Sequence, residues 1–161
     1  MALFLKNKFF FTRGLTLVEI VVVLGIISLM SSITLAAFSS FRARQTLDAS
    51  LEIVLSAFSQ AHLDTISSKN DYLYGVYLKP SEVITFRGTT YPGDGDVNNV
   101  HYTLPTVIEI GNITIAGGGS IIFYKRLSGT TDNFGTFEVR LRSNPAVQTI
   151  VTVNQTGVVS I

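Results

Sequence analysis

The sequence predicts an α+β protein, with one long N-terminal helix followed by an antiparallel β body. Three observations predict it. Between Arg13 and Arg42 the only charged residue is Glu19. Apolar residues then recur at helical spacing, and neither Pro nor Gly interrupts the chain from Ile26 to Asn70. Beyond that point, short β-branched and aromatic stretches alternate with Gly, Pro and Asn breaks.

The first element is the run from Leu15 to Phe38, 24 residues long. As a helix it extends about 36 Å, enough to cross a hydrocarbon core of roughly 30 Å. Lys6, Lys8 and Arg13 precede it, so the positive-inside rule places the N-terminus in the cytoplasm and the body outside. Arg42 and Arg44 follow the run and weaken that bias. Three readings of the run compete. A secretory signal peptide fits the basic start and the small residues around Thr34-Leu35-Ala36. Against it stand the length of the run and the acid within it. A plain signal anchor would let Glu19 reach the cytoplasmic interface. The third reading makes Glu19 a contact residue: a carboxylate buried in an apolar setting needs a partner, and the helix itself holds none.

The second half of the helix is predicted from Phe38, Phe41, Leu47, Leu51, Val54, Leu55, Phe58, Ala61 and Leu63, spaced mostly by three and four. Arg44 and Asp48 stand at i, i+4 on its polar face. Its end is expected near Ser67-Ser68-Lys69-Asn70. One continuous helix from Leu15 to Ser67 would be roughly 80 Å long.

The β body is predicted from strands at 72–78, 83–87, 100–104, 107–110, 113–116, 120–126, 135–142, 148–153 and 158–161. Breaks fall at Pro105, Gly117-Gly118-Gly119, Gly129, Asn144-Pro145 and Gly157, and Tyr91 to Asn99 reads as a loop. Phe137, Val139 and Leu141 alternate with Glu138, Arg140 and Arg142, the pattern of a half-buried strand. The expected divisions are 1–14, 15–38, 39–70 and 71–161.

Composition narrows function. Of 161 residues, 47% are apolar and only 14% charged, and the apolar excess sits in the first helix. The net charge is +1; without Lys6, Lys8 and Arg13, nine basic residues face eleven acidic ones, a balance of −2. A nearly neutral body offers no general case for nucleic acid. The absence of cysteine excludes disulfides, thiolate chemistry and cysteine zinc sites.

Gly14 is followed by hydrophobic Leu15, by Glu19 five residues on, and by Ile20-Val21-Val22-Val23-Leu24-Gly25-Ile26-Ile27. This arrangement resembles the cleavage and methylation motif of type IV prepilins and type II secretion pseudopilins. Leu15 stands where that family most often has Phe. The resemblance implies that a prepilin peptidase of the inner membrane removes residues 1–14 as a cytoplasmic leader, cutting between Gly14 and Leu15. It implies N-methylation at Leu15, docking of Glu19 against the charged terminus of a neighbouring pilin or pseudopilin subunit, and a structural role in a filament. The precursor would be single-pass, with its C-terminal body extracytoplasmic. An all-β body, with Tyr74-Gly75-Val76 early and Thr149 to Val153 then Gly157-Val158-Val159 at the end, is most similar to the H-type minor pseudopilins and related minor pilins. The chain has no C-terminal cysteine pair, and Ala36 stands where major pilins often carry proline. Both features favour a minor subunit. The competing function is a membrane-tethered binding or adhesion domain that does not polymerise.

Candidate sites in the body are few. Asp94, Asp96 and Asn98 place oxygen ligands at i, i+2, i+4, which suits calcium. However, Asn99 and Pro105 occupy the glycine and bidentate-acid places of an EF-hand loop, and Asp, Asn and Gly are ordinary turn formers. His62 and His101, the only histidines, carry no catalytic spacing. No enzyme motif and no cofactor motif is present. Lys125, Arg126, Arg140 and Arg142 could form a basic patch, as minor pilins that contact DNA require, or a solvated sheet face. Asn112-Ile113-Thr114 and Asn154-Gln155-Thr156 match the glycosylation sequon.

Overall fold

The computed structural model describes residues 16–161, with the side chains of 35–37 left out. Lys6, Lys8, Arg13, Gly14 and Leu15, and the side chain of Ala36, therefore lie outside the described residues. The chain is an α+β protein with one long helix, α1 (Leu17–Ile66), and two antiparallel sheets. It divides into two compact units after Ser40, the second being Phe41–Ile161.

In the second unit, α1 presents a narrow stripe: Leu47, Ser50, Leu51, Val54, Ala57, Phe58, Ala61 and Thr65 are buried. These positions recur every three or four residues, so they share one face. The stripe departs from the predicted one at its ends. Phe41 and Leu63 are about three-fifths exposed, at 62% and 61%. Leu63 is two positions past Ala61, and a step of two turns a side chain away from the face that steps of three and four share. Small Ala57 and polar Ser50 and Thr65 take core positions instead. Ser50 and Thr65 tolerate burial because each hydroxyl donates to the carbonyl one turn earlier, at 2.7 and 2.8 Å.

A one-turn 3₁₀ helix (Lys69–Asp71) leads into the first sheet. Its strands are β1 (Tyr74–Lys79), β2 (Glu82–Arg87), β3 (Val100–Thr103) and β5 (Ile121–Phe123), in the order β3-β2-β1-β5. Thr65 joins helix to sheet, since its Oγ1 accepts the Tyr74 N–H at 3.0 Å. Val76, Leu78 and Val83 face the helix. Ile84 and Phe86 point the other way yet are fully buried. Tyr91, from the 88–99 loop, packs on this side of the sheet, its ring 5.5 Å from Phe86 and 4.5 Å from Tyr77. Gly75 makes this second small core possible, because a Cβ there would sit 2.5 Å from the Phe86 ring.

The second sheet holds β4 (Ile108–Ile115), β6 (Gly135–Leu141), β7 (Asn144–Val153) and β8 (Val159–Ser160), in the order β4-β6-β7-β8. The predicted strands at 107–110 and 113–116 are one strand. Asn112 adopts φ 45° at a register shift between Gly111 and Thr114, which lets the strand bulge and continue. The expected break at Asn144-Pro145 is likewise inside β7. β8 pairs only with Thr152 and Val153, so Pro145 lies on an open edge and denies no partner a donor. Phe137, Val139 and Leu141 are buried, as the alternation predicts. Gly135 has φ 153°, and a Cβ there would run into the Thr114 carbonyl.

Truncating Phe137 to Ala removes the ring that stacks on Phe58 with centroids 5.7 Å apart. Denaturant unfolding should register a loss of about 3–5 kcal/mol. Ile150→Ala, at a position 52% exposed, should change stability by less than about 0.5 kcal/mol. Equal losses at the two positions would contradict this placement of the core. Thr65→Val, which leaves the Tyr74 N–H without its acceptor, should cost about 1–3 kcal/mol in the same measurement.

Candidate functional site

The described part of the first unit, from Thr16 to Ser40, is helical from Leu17 on, and its surface is mostly apolar. Among its described side chains, every residue from Thr16 to Thr34 is exposed, including Val21, Leu24, Ile27 and Met30. Four of its hydroxyl groups are spent on the helix itself. Ser28, Ser31 and Thr34 each donate to the carbonyl four residues earlier, and Ser32 to the one three residues earlier, at 2.7–2.9 Å. A hydroxyl satisfied in this way asks nothing of water. Length and composition make this one helix capable of crossing a membrane.

Glu19 lies in the first turn of α1. Thr16 caps that turn: its Oγ1 accepts the Glu19 N–H at 3.2 Å, and its carbonyl accepts the Ile20 N–H at 3.2 Å. Thr16-Leu17-Val18-Glu19 thus has the spacing of a capping box, a signal present in the sequence that the prediction passed over. The return bond is missing. Among the described residues the Glu19 carboxylate accepts no hydrogen bond and has no cation within 4.0 Å.

The proposed calcium residues do not converge. Asp94 Oδ1 is taken by Lys79 Nζ at 2.6 Å and by the Tyr91 hydroxyl. Asp96 accepts the Asn98 N–H at 2.8 Å and its side-chain amide at 2.9 Å, so Asn98 meets Asp96 as a donor and not as a fellow ligand. Among the described residues, no three His, Asp or Glu side chains group around a cation position. The four basic residues do not make an open patch either. Lys125 pairs with Asp132 at 2.8 Å, Arg126 with Asp71, Arg140 with Glu109 at 2.8 Å, and Arg142 lies 3.9 Å from Glu109. His62 packs edge-on against Tyr124 at 5.0 Å, and His101 Nδ1 lies 3.1 Å from Glu82. Asn112 donates its amide to Glu138 at 2.7 Å, while Asn154 stands exposed where β7 turns to β8.

Lys79 is the centre of a polar clasp that holds the 88–99 loop. It bonds Asp94 and also Glu82, at 2.9 Å. The Asp94 carboxyl is held below its ordinary range by Lys79 and then Tyr91. The Glu82 carboxyl is lowered by Lys79 and then His101. Burial, then the bond to Asp94, pushes the Tyr91 hydroxyl up to about 12.

No family model matches the chain, and no curated protein or solved structure matches it.

A carboxylate whose pKa is depressed by folding stabilises the fold above its unfolded pKa and loses that effect as pH falls through the folded value. The clasp should therefore loosen from about pH 4 downward. Asp94→Asn should flatten the acid side of the curve of unfolding midpoint against pH. The change is small, because Asp94 is exposed and solvent screens it. Parallel acid limbs for the two proteins would remove Asp94 from this role.

Proposed function

We propose that the chain is a minor pseudopilin or minor pilin, a structural subunit of a type II secretion pseudopilus or type IV pilus. In this reading the precursor enters the inner membrane through α1, with its body outside. A prepilin peptidase cuts after Gly14, and Leu15 becomes the methylated N-terminus. The observation that carries the proposal is the first turn of α1: an acid, Glu19, without a partner among the described residues, at the head of a helix whose side chains from Leu17 to Thr34 are all exposed and mostly apolar. A lone carboxylate in such a setting is costly, and a cation from a neighbouring subunit offsets that cost. Packing of apolar helices from several subunits would replace lipid contacts with protein contacts. The pairing of Lys125, Arg126, Arg140 and Arg142 with carboxylates weakens the case for nucleic acid.

A second reading, a single-span tethered binding domain that stays monomeric, draws on the Thr16 cap. An acid in the first turn of a helix also favours the helix dipole, without any partner. The two readings separate by experiment. Intact mass and N-terminal sequencing of the protein from membranes containing the peptidase should find a methylated Leu15 start. A start at Met1 would make the chain a plain anchor, and a start after Ala36 a secreted β protein. Glu19→Ala should leave membrane insertion unchanged and abolish most incorporation into filaments. Incorporation equal to that of the native chain would refute the docking role.

A further inference from the structure

From Lys69 onward, every lysine and arginine but one has a carboxylate within 4.0 Å among the described residues. The exception is Arg87, half-buried at the end of β2. Its guanidinium carbon lies 5.3 Å from the centre of the Tyr72 ring, a cation–π contact that satisfies none of its N–H donors with an oxygen acceptor. Two residues earlier on the same face of β2 is Thr85. It is only 6% exposed, and its hydroxyl has no hydrogen-bond partner among the described residues.

Both side chains line a cavity of about 240 Å³ between α1 and the β1–β2–β3 face. Tyr74 and Tyr102 also line it, and Gln60 and Asp64 come from the helix. The acid already inside does not serve Arg87. Asp64 gives one oxygen to Gln60 at 2.8 Å and the other to Lys69 at 2.9 Å. The charged lining residues are Asp64, Lys69 and Arg87, so the cavity carries one net positive charge. A partly buried guanidinium presents five donors and no acceptor, and its natural complement is a two-oxygen anion met by the fork.

We propose that this cavity binds a small carboxylate, with Arg87 as the bidentate anchor and the Thr85 hydroxyl as a further donor. The single net charge matches a carboxylate better than a doubly charged phosphate. Ala61, Val100 and the tyrosine rings flank a short carbon stem. The volume falls below that of pockets for drug-sized ligands, so the group is small. Its source is either a free acid or an acidic side chain of a protein partner. This site is independent of the filament reading.

The test is titration of the full chain in detergent micelles, read by calorimetry and by amide NMR shifts at Thr85, Arg87 and Tyr102. Butyrate, a short amidated peptide with one glutamate, and inorganic phosphate are the probes. Saturable binding of either carboxylate supports the site, and the tighter of the two identifies the source. Arg87→Gln should weaken it at least about tenfold, in line with loss of a charge-assisted pair. Arg87→Lys should keep part of the affinity, and Thr85→Val should reduce it. The thermal midpoint reports whether Arg87→Gln folds; if it does not, the other two variants decide. The proposal is overturned if neither carboxylate binds at millimolar concentration, if phosphate binds more tightly than both, or if the folded variants bind as the native chain does.

Discussion

Phe58 on α1 stacks on Phe137 of β6, and around this pair the helix and both sheets meet in one cluster. Neither sheet buries both faces without the other elements. Val76 and Leu78 of β1, and Val139 and Val151 of the second sheet, share their apolar surroundings with the stripe from Leu47 to Ala61. The stripe sets the requirement for everything that follows it. Ala57 and Ala61 are fully buried on that stripe beside Phe58, small side chains set next to a large one. Positions near the helix end must satisfy the incoming strand, which explains Thr65. A helix with a wider apolar face would crowd the sheets; a narrower one would leave them wet.

The helix and most strands were legible because their signals are periodic. An uncharged run, a stripe at steps of three and four, and the alternation of Phe137 to Arg142 each depend on spacing alone. What was not legible depends on contact. Asn112 reads as a break until the register of β4 with β6 shows a bulge, since Asn tolerates a left-handed backbone that most residues avoid. Pro145 reads as a break until β7 proves to have an open edge there. The loop at 91–99 reads as solvated from its Asp, Asn and Gly, yet Tyr91 packs it against Phe86 and Tyr77. One aromatic residue outweighed a polar composition. The oxygen pattern of Asp94, Asp96 and Asn98 misled for the same reason. Spacing places ligands along the chain, but Lys79, distant in sequence, decides which way Asp94 turns.

The candidate sites divide in the same manner. Glu19 was conspicuous because a lone acid in an apolar run is visible without any structure. Arg87 was invisible, because it sits among six other cations between Lys69 and Arg142 that differ from it only in their partners. Sequence position says nothing of which arginine is left unpaired; that is a property of the folded surface. The same holds for the basic patch once suspected at Lys125, Arg126, Arg140 and Arg142. Their charges are real, but Asp132, Asp71 and Glu109 answer them.

The first turn of α1 shows why capping does not dispose of Glu19. In a full capping box the acid's side chain returns a bond to the cap residue's backbone N–H. Here Thr16 performs its half of the exchange through Oγ1, and the Glu19 carboxylate accepts nothing among the described residues. The helix dipole adds at most about 1 kcal/mol at an exposed terminus. That sum suits a helix end in water. Moved into an apolar environment, the same carboxylate loses solvation; the penalty is on the order of 2–3 kcal/mol at the middle of a membrane and smaller in the first turn of a helix, where it adds to what a partner can offset. An acid kept in that position is therefore best matched by a cation that reaches it where water does not, and an apolar helix of this length is the element that would carry it there.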